Sequence, residues 1–132
     1  MNRKKPCVFV TRMLPDIVLR RMKELFEIEV NETDEPLSID ELKIAFNKFE
    51  VVVPTVTDKI NSEVINSSSQ KLKLIANFGN GVDHIDIDCA NKKGIFVFCE
   101  VILLRLCTFV QLFCSLNGQF LRNFDSNDRG CG

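Results

Sequence analysis

The sequence predicts an α/β fold in which a doubly wound parallel sheet carries helices on its faces. Short apolar runs alternate with amphipathic stretches along most of the chain, which is typical of repeated βα units. The run EVVVPTV, which begins at Glu50, is continuously apolar, as strands buried on both faces of a parallel sheet tend to be. A loop with two glycines, NFGNGVDHID, joins a strand-like run to a helix-like one.

The first predicted strand is CVFVT, residues 7–11, because it is rich in β-branched and aromatic residues. Pro15 and Asp16 then open a helix over IVLRRMKELF, since proline is favoured in the first turn and an acid complements the helix dipole there. We expect its buried face to include Ile17, Met22 and Leu25.

The second βα unit is predicted from FEIEVN and SIDELKIAF. FEIEVN alternates with period two, which predicts a strand with Phe26, Ile28 and Val30 on one side. Ser38, followed three residues later by Glu41, has the spacing of a capping box and predicts the start of a helix.

Three further strands follow in the same alternation. EVVVPTV predicts the third, ending at Pro54, and NSEVINSSSQ predicts a short helix or turn and a polar link. KLKLIAN predicts the fourth strand and DIDCANKKG a helix that stops at Gly94. GIFVF predicts the fifth strand.

The loop between the fourth strand and its helix predicts an anion site. Gly79 and Gly81 allow backbone angles that a Cβ forbids, so successive amides could converge on a small charged group at the carboxyl edge of the sheet. An organic acid fits such a site. The alternative is that both glycines are plain turn residues.

Composition excludes several other classes. The chain has 132 residues, 45% of them hydrophobic and 27% charged, which predicts one packed domain. A net charge of −1 without a basic block argues against a nucleic-acid partner. The apolar run Val8–Val10 is too short for a signal peptide, so a cytoplasmic location is expected. No CxxC or His-rich spacing suggests a metal site.

Three segments together resemble a known family. The loop PTVTDKINSEVI, the segment KLKLIANFGNGVDHIDI and the strand CANKKGIFV are similar to the N-terminal part of the D-isomer-specific 2-hydroxyacid dehydrogenases, which include glyoxylate, hydroxypyruvate and phosphoglycerate enzymes. The resemblance covers residues 5–98. It implies an incomplete flavodoxin-like substrate domain, a small 2-hydroxy or 2-oxo acid as substrate, and NAD or NADP held by a separate Rossmann-type domain.

The resemblance also assigns roles in substrate binding. It places Asn80 and Gly81 where family members hold the substrate carboxylate through backbone amides, so the peptide groups matter more than the Asn80 side chain. Thr55 and Val56 match the loop that forms the wall of the substrate pocket.

His84 is the sole histidine and invites a catalytic interpretation. The family's acid–base histidine lies far downstream, however, so we expect His84 to pack or to form a hydrogen bond. Asp83 and Asp86 are expected to cap exposed amides at the start of the helix.

Several functional parts of the family have no counterpart in the sequence. No GxGxxG follows a strand, and the catalytic arginine, glutamate and histidine would lie beyond the resemblance. We therefore expect a fragment of an NAD(P)-dependent oxidoreductase for D-2-hydroxy acids that is inactive as this chain alone. The substrate's identity and the choice between NAD and NADP depend on residues outside the resemblance.

Two alternatives stay open. One is a non-catalytic module that binds small carboxylates or dimerises. The other, a flavodoxin-like phospho-receiver, needs paired acids after the first strand and an aspartate after the third. Thr11, Arg12 and Pro54 stand there instead, which argues against it.

Residues 99–132 do not resemble the family and contain four of the six cysteines. Shifting the reading frame to the third base of the codons for 100–106 permits Ser-Asn-Thr-Pro-Glu-Ala-Val, the turn that follows this strand in the family. This favours a frameshift, a splicing error or a gene-model error. A membrane anchor is not expected, because Arg105 and Gln111 interrupt a run shorter than the roughly 20 residues of a span.

The missing part of the family fold has a physical consequence. Unless the tail covers it, part of the apolar sheet should be exposed, which predicts poor solubility or pairing with another copy or a full-length homologue.

Overall fold

Strands and helices alternate throughout the part of the chain that the structure describes. This part comprises residues 5–33 and 35–116 in a computed structural model, without the side chains of residues 103 and 104. The elements in chain order are β1 (Cys7–Val10), α1 (Asp16–Leu25), β2 (Glu27–Val30), α2 (Ile39–Lys48), β3 (Val51–Val53), α3 (Ser62–Asn66), β4 (Leu74–Phe78), α4 (Ile87–Lys92), β5 (Phe96–Glu100) and α5 (Leu103–Leu116).

The five described strands form one parallel sheet in the order β2-β1-β3-β4-β5. In the register, Phe9 of β1 lies between Glu29 of β2 and Val52 of β3, and Ile75 of β4 lies beside Val97 of β5. This strand order is that of flavodoxin-like domains, so the predicted fold class is confirmed. Because all strands run the same way, the loops that follow them meet at one edge of the sheet.

Apolar side chains fill a layer on each face of the sheet. One layer packs α2, α3 and α4 against Phe9, Val52 and Ile75. The opposite layer packs α1 and α5 against Val8, Val10, Val51, Val53, Leu74 and Ala76. The alternation of side chains along each strand sends neighbouring residues to opposite layers, which is why β1 and β3 are apolar throughout.

Helix α5 covers the sheet on the side of α1. Its residues Leu106, Cys107, Val110 and Cys114 are buried. Phe109 stacks on Phe98 of β5 with ring centroids 3.4 Å apart, and Phe113 meets Phe96 edge to face at 5.4 Å. The segment predicted as an apolar tail of uncertain structure therefore supplies the last two residues of β5 and then a helix, and this helix covers apolar sheet surface that was expected to be exposed unless the tail covered it.

The predicted start of α2 is confirmed. The Ser38 hydroxyl accepts from the Glu41 amide at 3.2 Å, and the Glu41 carboxylate accepts from the Ser38 amide at 2.9 Å. The prediction for the buried face of α1 is partly wrong, because Ile17 is 70% exposed. The residues of α1 that face the sheet are Val18, Leu19 and Met22. At 100° per residue Ile17 points away from Met22.

Candidate functional site

The loops after β3 and β4 lie side by side at the carboxyl edge of the sheet. Thr55 pairs with Phe78, and Ile60 pairs with Ile85, in two isolated parallel bridges. The Phe78 amide also donates to the Pro54 carbonyl at 2.9 Å. These bonds bring the segment with Thr55 and Val56 against the glycine loop that follows β4.

A buried aspartate fixes the loop after β3. Asp58 is only 1% exposed, and its Oδ2 accepts hydrogen bonds from the Thr11 hydroxyl and, at 2.9 Å, from the Thr55 amide. Its Oδ1 is buried without a hydrogen-bond partner among the described residues. At the surface, Thr57 accepts from the Arg12 guanidinium at 2.9 Å. The two residues after β1 are therefore engaged in holding this loop.

The glycine loop is anchored to β5 and to the end of β4. The Gly79 amide donates to the Glu100 carbonyl at 3.0 Å, and the Cys99 thiol lies 2.8 Å from the Gly79 carbonyl oxygen as its donor. The Asn77 side-chain amide donates to the Gly81 carbonyl at 2.9 Å. Cys99 and Glu100, the first two residues of the predicted tail, thus belong to β5 and contact the candidate site.

The structural reason for the glycines differs from the expectation. Neither Gly79 nor Gly81 has a positive φ; among the described glycines only Gly94 does, at 77°. A Cβ on Gly79 would lie 3.1 Å from Val56 Cγ1 and 3.2 Å from Asn77 Nδ2, so close approach is what requires glycine there. A Cβ on Gly81 would have no neighbour within 4 Å.

Among the described residues, the five consecutive backbone amides from Asn80 to His84 have no protein acceptor, and the first three, those of Asn80, Gly81 and Val82, follow Gly79 directly. Asn80 and Gly81 are exposed. A row of unpaired amides beside open space is a suitable environment for a small anion, because each amide is a donor that gains by pairing with negative charge.

His84 forms a hydrogen bond rather than standing free. Its Nε2 lies 2.8 Å from Oδ1 of Asn77. Because Asn77 donates through Nδ2 to Gly81, its Oδ1 is the acceptor, and Nε2 of His84 must carry the hydrogen. Burial lowers the pKa of His84, and the nearby charges of Asp58 and Asp83 oppose this effect. The imidazole is therefore mainly neutral at pH 7.

The two aspartates after the loop differ in role. Asp86 is the N-cap of α4 and accepts from the Cys89 amide at 3.1 Å, as expected. Asp83 is exposed and forms no capping bond within the described residues, so the expectation that it caps the helix is wrong. The helix begins three residues later than Asp83 would require for a cap.

A surface cavity of about 490 Å³ lies next to the glycine loop. Val56 and His84 line it, together with Lys59 and Asp83. Thr55, Asn80 and Gly81 do not line this cavity, although the contact between Gly79 and Val56 places the glycine loop beside it. The predicted site residues are thus brought to one edge of the sheet, and of these residues Val56 alone lines this cavity.

Sequence reasoning missed three residues of this site. The sequence signal for Asp58 is its position as a turn former in TVTD, and the signal for Asn77 is that it is a polar residue at the end of an apolar strand. Cys99 gave no signal, because its bond to Gly79 depends on the pairing of β4 with β5.

Within the described residues, neither a metal-binding cluster nor a membrane-spanning helix is found. Their His, Cys, Asp and Glu side chains form no group of three that could hold a metal ion. None of their helices is long and apolar enough to cross a membrane.

The parallel sheet in flavodoxin-like order, with unpaired amides at its carboxyl edge, defines an α/β domain that carries a candidate anion-binding loop. Residues 8–99 match the family model for the D-isomer specific 2-hydroxyacid dehydrogenase catalytic domain. The chain belongs to this family of oxidoreductases, whose members use NAD(P) and act on 2-hydroxy or 2-oxo acids.

Similar proteins include several glyoxylate reductases. The one from Thermofilum pendens is 38% identical over 94 residues, and the one from Thermococcus onnurineus 32% over 93 residues. These matches cover 70% of this chain but only 27% and 28% of the relatives, so the chain spans less than a third of their length.

Solved structures show the same relationship. D-lactate dehydrogenase from Escherichia coli matches with a TM-score of 0.61 and 25% identity, over 73% of this chain and 31% of that one. A protein from Thermus thermophilus matches with a TM-score of 0.60 and 36% identity, over 69% and 29%.

Proposed function

We propose that this chain forms the carboxylate-binding part of the substrate domain of an NAD(P)-dependent oxidoreductase that acts on the CH–OH group of a D-2-hydroxy acid. The observation that carries the proposal is the row of unpaired amides at Asn80, Gly81 and Val82. Family membership supplies the substrate class, and the glyoxylate reductases among the similar proteins favour a short 2-oxo acid.

The proposed site binds the acid end of the substrate without a charged side chain. The amides of Asn80 and Gly81 would donate to the two carboxylate oxygens, and such charge-assisted bonds are stronger than bonds between neutral groups. Thr55 and Val56 would form the adjacent wall, which the contact between Val56 and Gly79 supports. The discriminating contacts along the rest of the substrate are left to other parts of a complete enzyme.

Hydride transfer is proposed to need groups that this domain does not supply. A bound nicotinamide cofactor supplies the hydride, and the sequence has no GxGxxG to cradle its pyrophosphate. His84 is a poor acid–base group for the substrate, because its Nε2 hydrogen is held by Asn77. We therefore propose that this polypeptide alone binds the carboxylate and does not turn it over.

The boundary between family and non-family sequence is part of the proposal. We assign residues 5–98 to the partial substrate domain and residues 99–132 to a segment of different origin, with a shift of reading frame as the explanation; the family match includes Cys99, so the change of origin is proposed to fall just after that residue. Matched genomic and transcript sequences across codons 97–106 test it: a frame that continues into Asn-Thr-Pro supports the shift, whereas an unchanged frame without downstream dehydrogenase sequence contradicts it.

Titration of the ¹⁵N-labelled full chain with sodium glyoxylate tests the binding proposal. We expect saturable shifts of the amides of Asn80, Gly81 and Val82, and none with sodium chloride at equal ionic strength. Gly81→Ala should weaken binding without unfolding, because its methyl group meets no protein atom within 4 Å but occupies the space beside the amides. Asn80→Ala is the matched control and should bind normally, since the peptide group is the donor. Shifts scattered elsewhere would contradict the proposal.

A second candidate function is pairing with another copy or a full-length homologue. Strand β5 is an edge of the described sheet, and Phe96, Val101, Ile102 and Leu112 near it are large, apolar and exposed. Exposed apolar edges favour association. Light scattering of wild type and Phe96→Lys tests this candidate: a dimer that the substitution dissociates supports it, and a wild-type monomer at high concentration excludes it.

A further inference from the structure

The orientation of the glycine loop depends on three side chains outside it. Cys99 of β5 bonds to the Gly79 carbonyl at 2.8 Å, and Asn77 of β4 bonds to the Gly81 carbonyl at 2.9 Å. Asn77 is itself held by His84 at 2.8 Å. Both loop carbonyls therefore point inward, towards the sheet.

The consequence for the amides follows from peptide geometry. No described peptide bond is cis, and in a trans peptide the C=O of one residue and the N–H of the next point in opposite directions. An inward Gly79 carbonyl turns the Asn80 N–H outward, and an inward Gly81 carbonyl does the same for Val82. The unpaired amides of Asn80 and Val82 thus point towards open space because the preceding carbonyls, those of Gly79 and Gly81, are hydrogen-bonded on the inner side of the loop.

We propose that Cys99, Asn77 and His84 are positioning residues that aim the amides of Asn80 and Val82 at the substrate carboxylate. The proposal rests on the proposed function, and it adds Val82 as a donor. None of the three touches the carboxylate. Cys99 and Asn77 act by holding loop carbonyls, and His84 acts by holding Asn77. The role therefore requires a hydrogen-bond donor at each of the three positions and not one particular residue type.

Burial and pairing distinguish these residues from ordinary packing. Asn77 is fully buried, and its carboxamide is used at both ends, with Oδ1 accepting from His84 and Nδ2 donating to Gly81. Replacing either end leaves a buried polar group unpaired, which costs more than the hydrogen bond itself contributes. The loop is therefore expected to have one preferred orientation.

Pairs of substitutions that remove or restore a donor test the proposal. Cys99→Ala removes the donor to Gly79, and Cys99→Ser restores one through its hydroxyl. His84→Ala removes the donor to Asn77, and His84→Gln restores one through its amide. Asn77→Asp keeps the shape of the side chain but, when ionised, cannot donate to Gly81.

Two readouts are measured on each full-length, ¹⁵N-labelled variant. Residual dipolar couplings report the directions of the Asn80 and Val82 N–H bonds without ligand, and titration with sodium glyoxylate reports affinity. We expect Cys99→Ala to change the Asn80 coupling, and His84→Ala and Asn77→Asp to change the Val82 coupling. Each should lose about fivefold in affinity, as the loss of a hydrogen bond worth about 1 kcal/mol predicts. Cys99→Ser and His84→Gln should recover both readouts.

The outcomes separate this proposal from the proposed function. Unchanged couplings in a folded Cys99→Ala variant, or failure of Cys99→Ser to restore what Cys99→Ala loses, would overturn the positioning role. If wild type does not bind glyoxylate at all, the proposed function fails, and the assignment of these residues to substrate binding fails with it. The couplings of the unliganded variants then show whether the three side chains still orient the loop.

Discussion

Nε2 of His84 lies 2.8 Å from Oδ1 of Asn77, so the sole imidazole of the chain is tied to the end of β4. The same carboxamide holds the Gly81 carbonyl, which links the histidine to the candidate carboxylate site through one side chain. A change in the charge of His84 is therefore expected to alter both the stability of the fold and the orientation of the glycine loop.

The pKa of His84 is expected to lie below its ordinary value of 6.5, because burial disfavours the charged form. Asp83→Asn should lower this pKa further, since the Asp83 charge favours the imidazolium. The measurement is an NMR titration of the His84 Cε1 proton, which a single-histidine chain makes unambiguous. Asp88→Asn on exposed α4 is the control and should leave the midpoint unchanged.

Stability should fall as acid protonates His84. The folded state has the lowered pKa, so the unfolded state takes up a proton first, and stability present above pH 6.5 is lost as the pH falls through and below that value. Urea unfolding of wild type and His84→Gln at pH 7.5 and pH 5.5 measures this effect. The loss should be larger for wild type, because it alone carries the imidazole, whereas the carboxyl groups are the same in both proteins. Equal losses would contradict the role of His84.

Helix α5 is expected to contribute to stability. Leu106→Ala removes a side chain that is 1% exposed and should cost roughly 2–5 kcal/mol of unfolding free energy, the usual range for a buried leucine. Leu112→Ala on the same helix is 55% exposed and should change stability by no more than about 0.5 kcal/mol. Chemical denaturation of both variants measures these changes in the free energy of unfolding. Similar effects for the two would mean that α5 does not pack on the sheet.

The thiols of α5 should resist modification in the folded protein. Burial raises the pKa of Cys114 to about 12, with the Glu50 charge adding to the effect, and burial also raises the pKa of Cys107. The thiolate is the reactive form, so both should react with iodoacetamide at pH 8 far more slowly than the partly exposed Cys89. Peptide mapping by mass spectrometry measures the rates, and addition of urea should abolish the difference.

NAD or NADP should leave the melting temperature of this polypeptide unchanged. A ligand stabilises a protein only by binding its native state, and the sequence has no dinucleotide cradle. Thermal unfolding with and without each cofactor measures the shift, and a glyoxylate sample shows whether a carboxylate alone stabilises the fold. A concentration-dependent rise with NAD would contradict the expectation.

The regular part of the fold was largely predictable, since it depends on local patterns. The capping box at Ser38 and the stop at Gly94 are short-range features with defined chemistry, and the structure confirms both. Ile17 was assigned wrongly because a helix with apolar residues at 17, 18, 19 and 22 has more than one plausible buried face. The sheet decides which face it is.

The sequence by itself determined the class of the domain, the order of its elements and the place of the glycine loop, because periodicity, capping and turn chemistry act between residues close in the chain. Tertiary structure alone decided why Gly79 must be glycine, which amides stay unpaired and how α5 covers the sheet. These depend on contacts between Gly79 and Val56, between Cys99 and Gly79, and between Phe98 and Phe109. The partners in the first two contacts lie some 20 residues apart and meet only when parallel strands bring their ends to one edge, whereas Phe98 and Phe109 meet only when α5 packs on the face of the sheet.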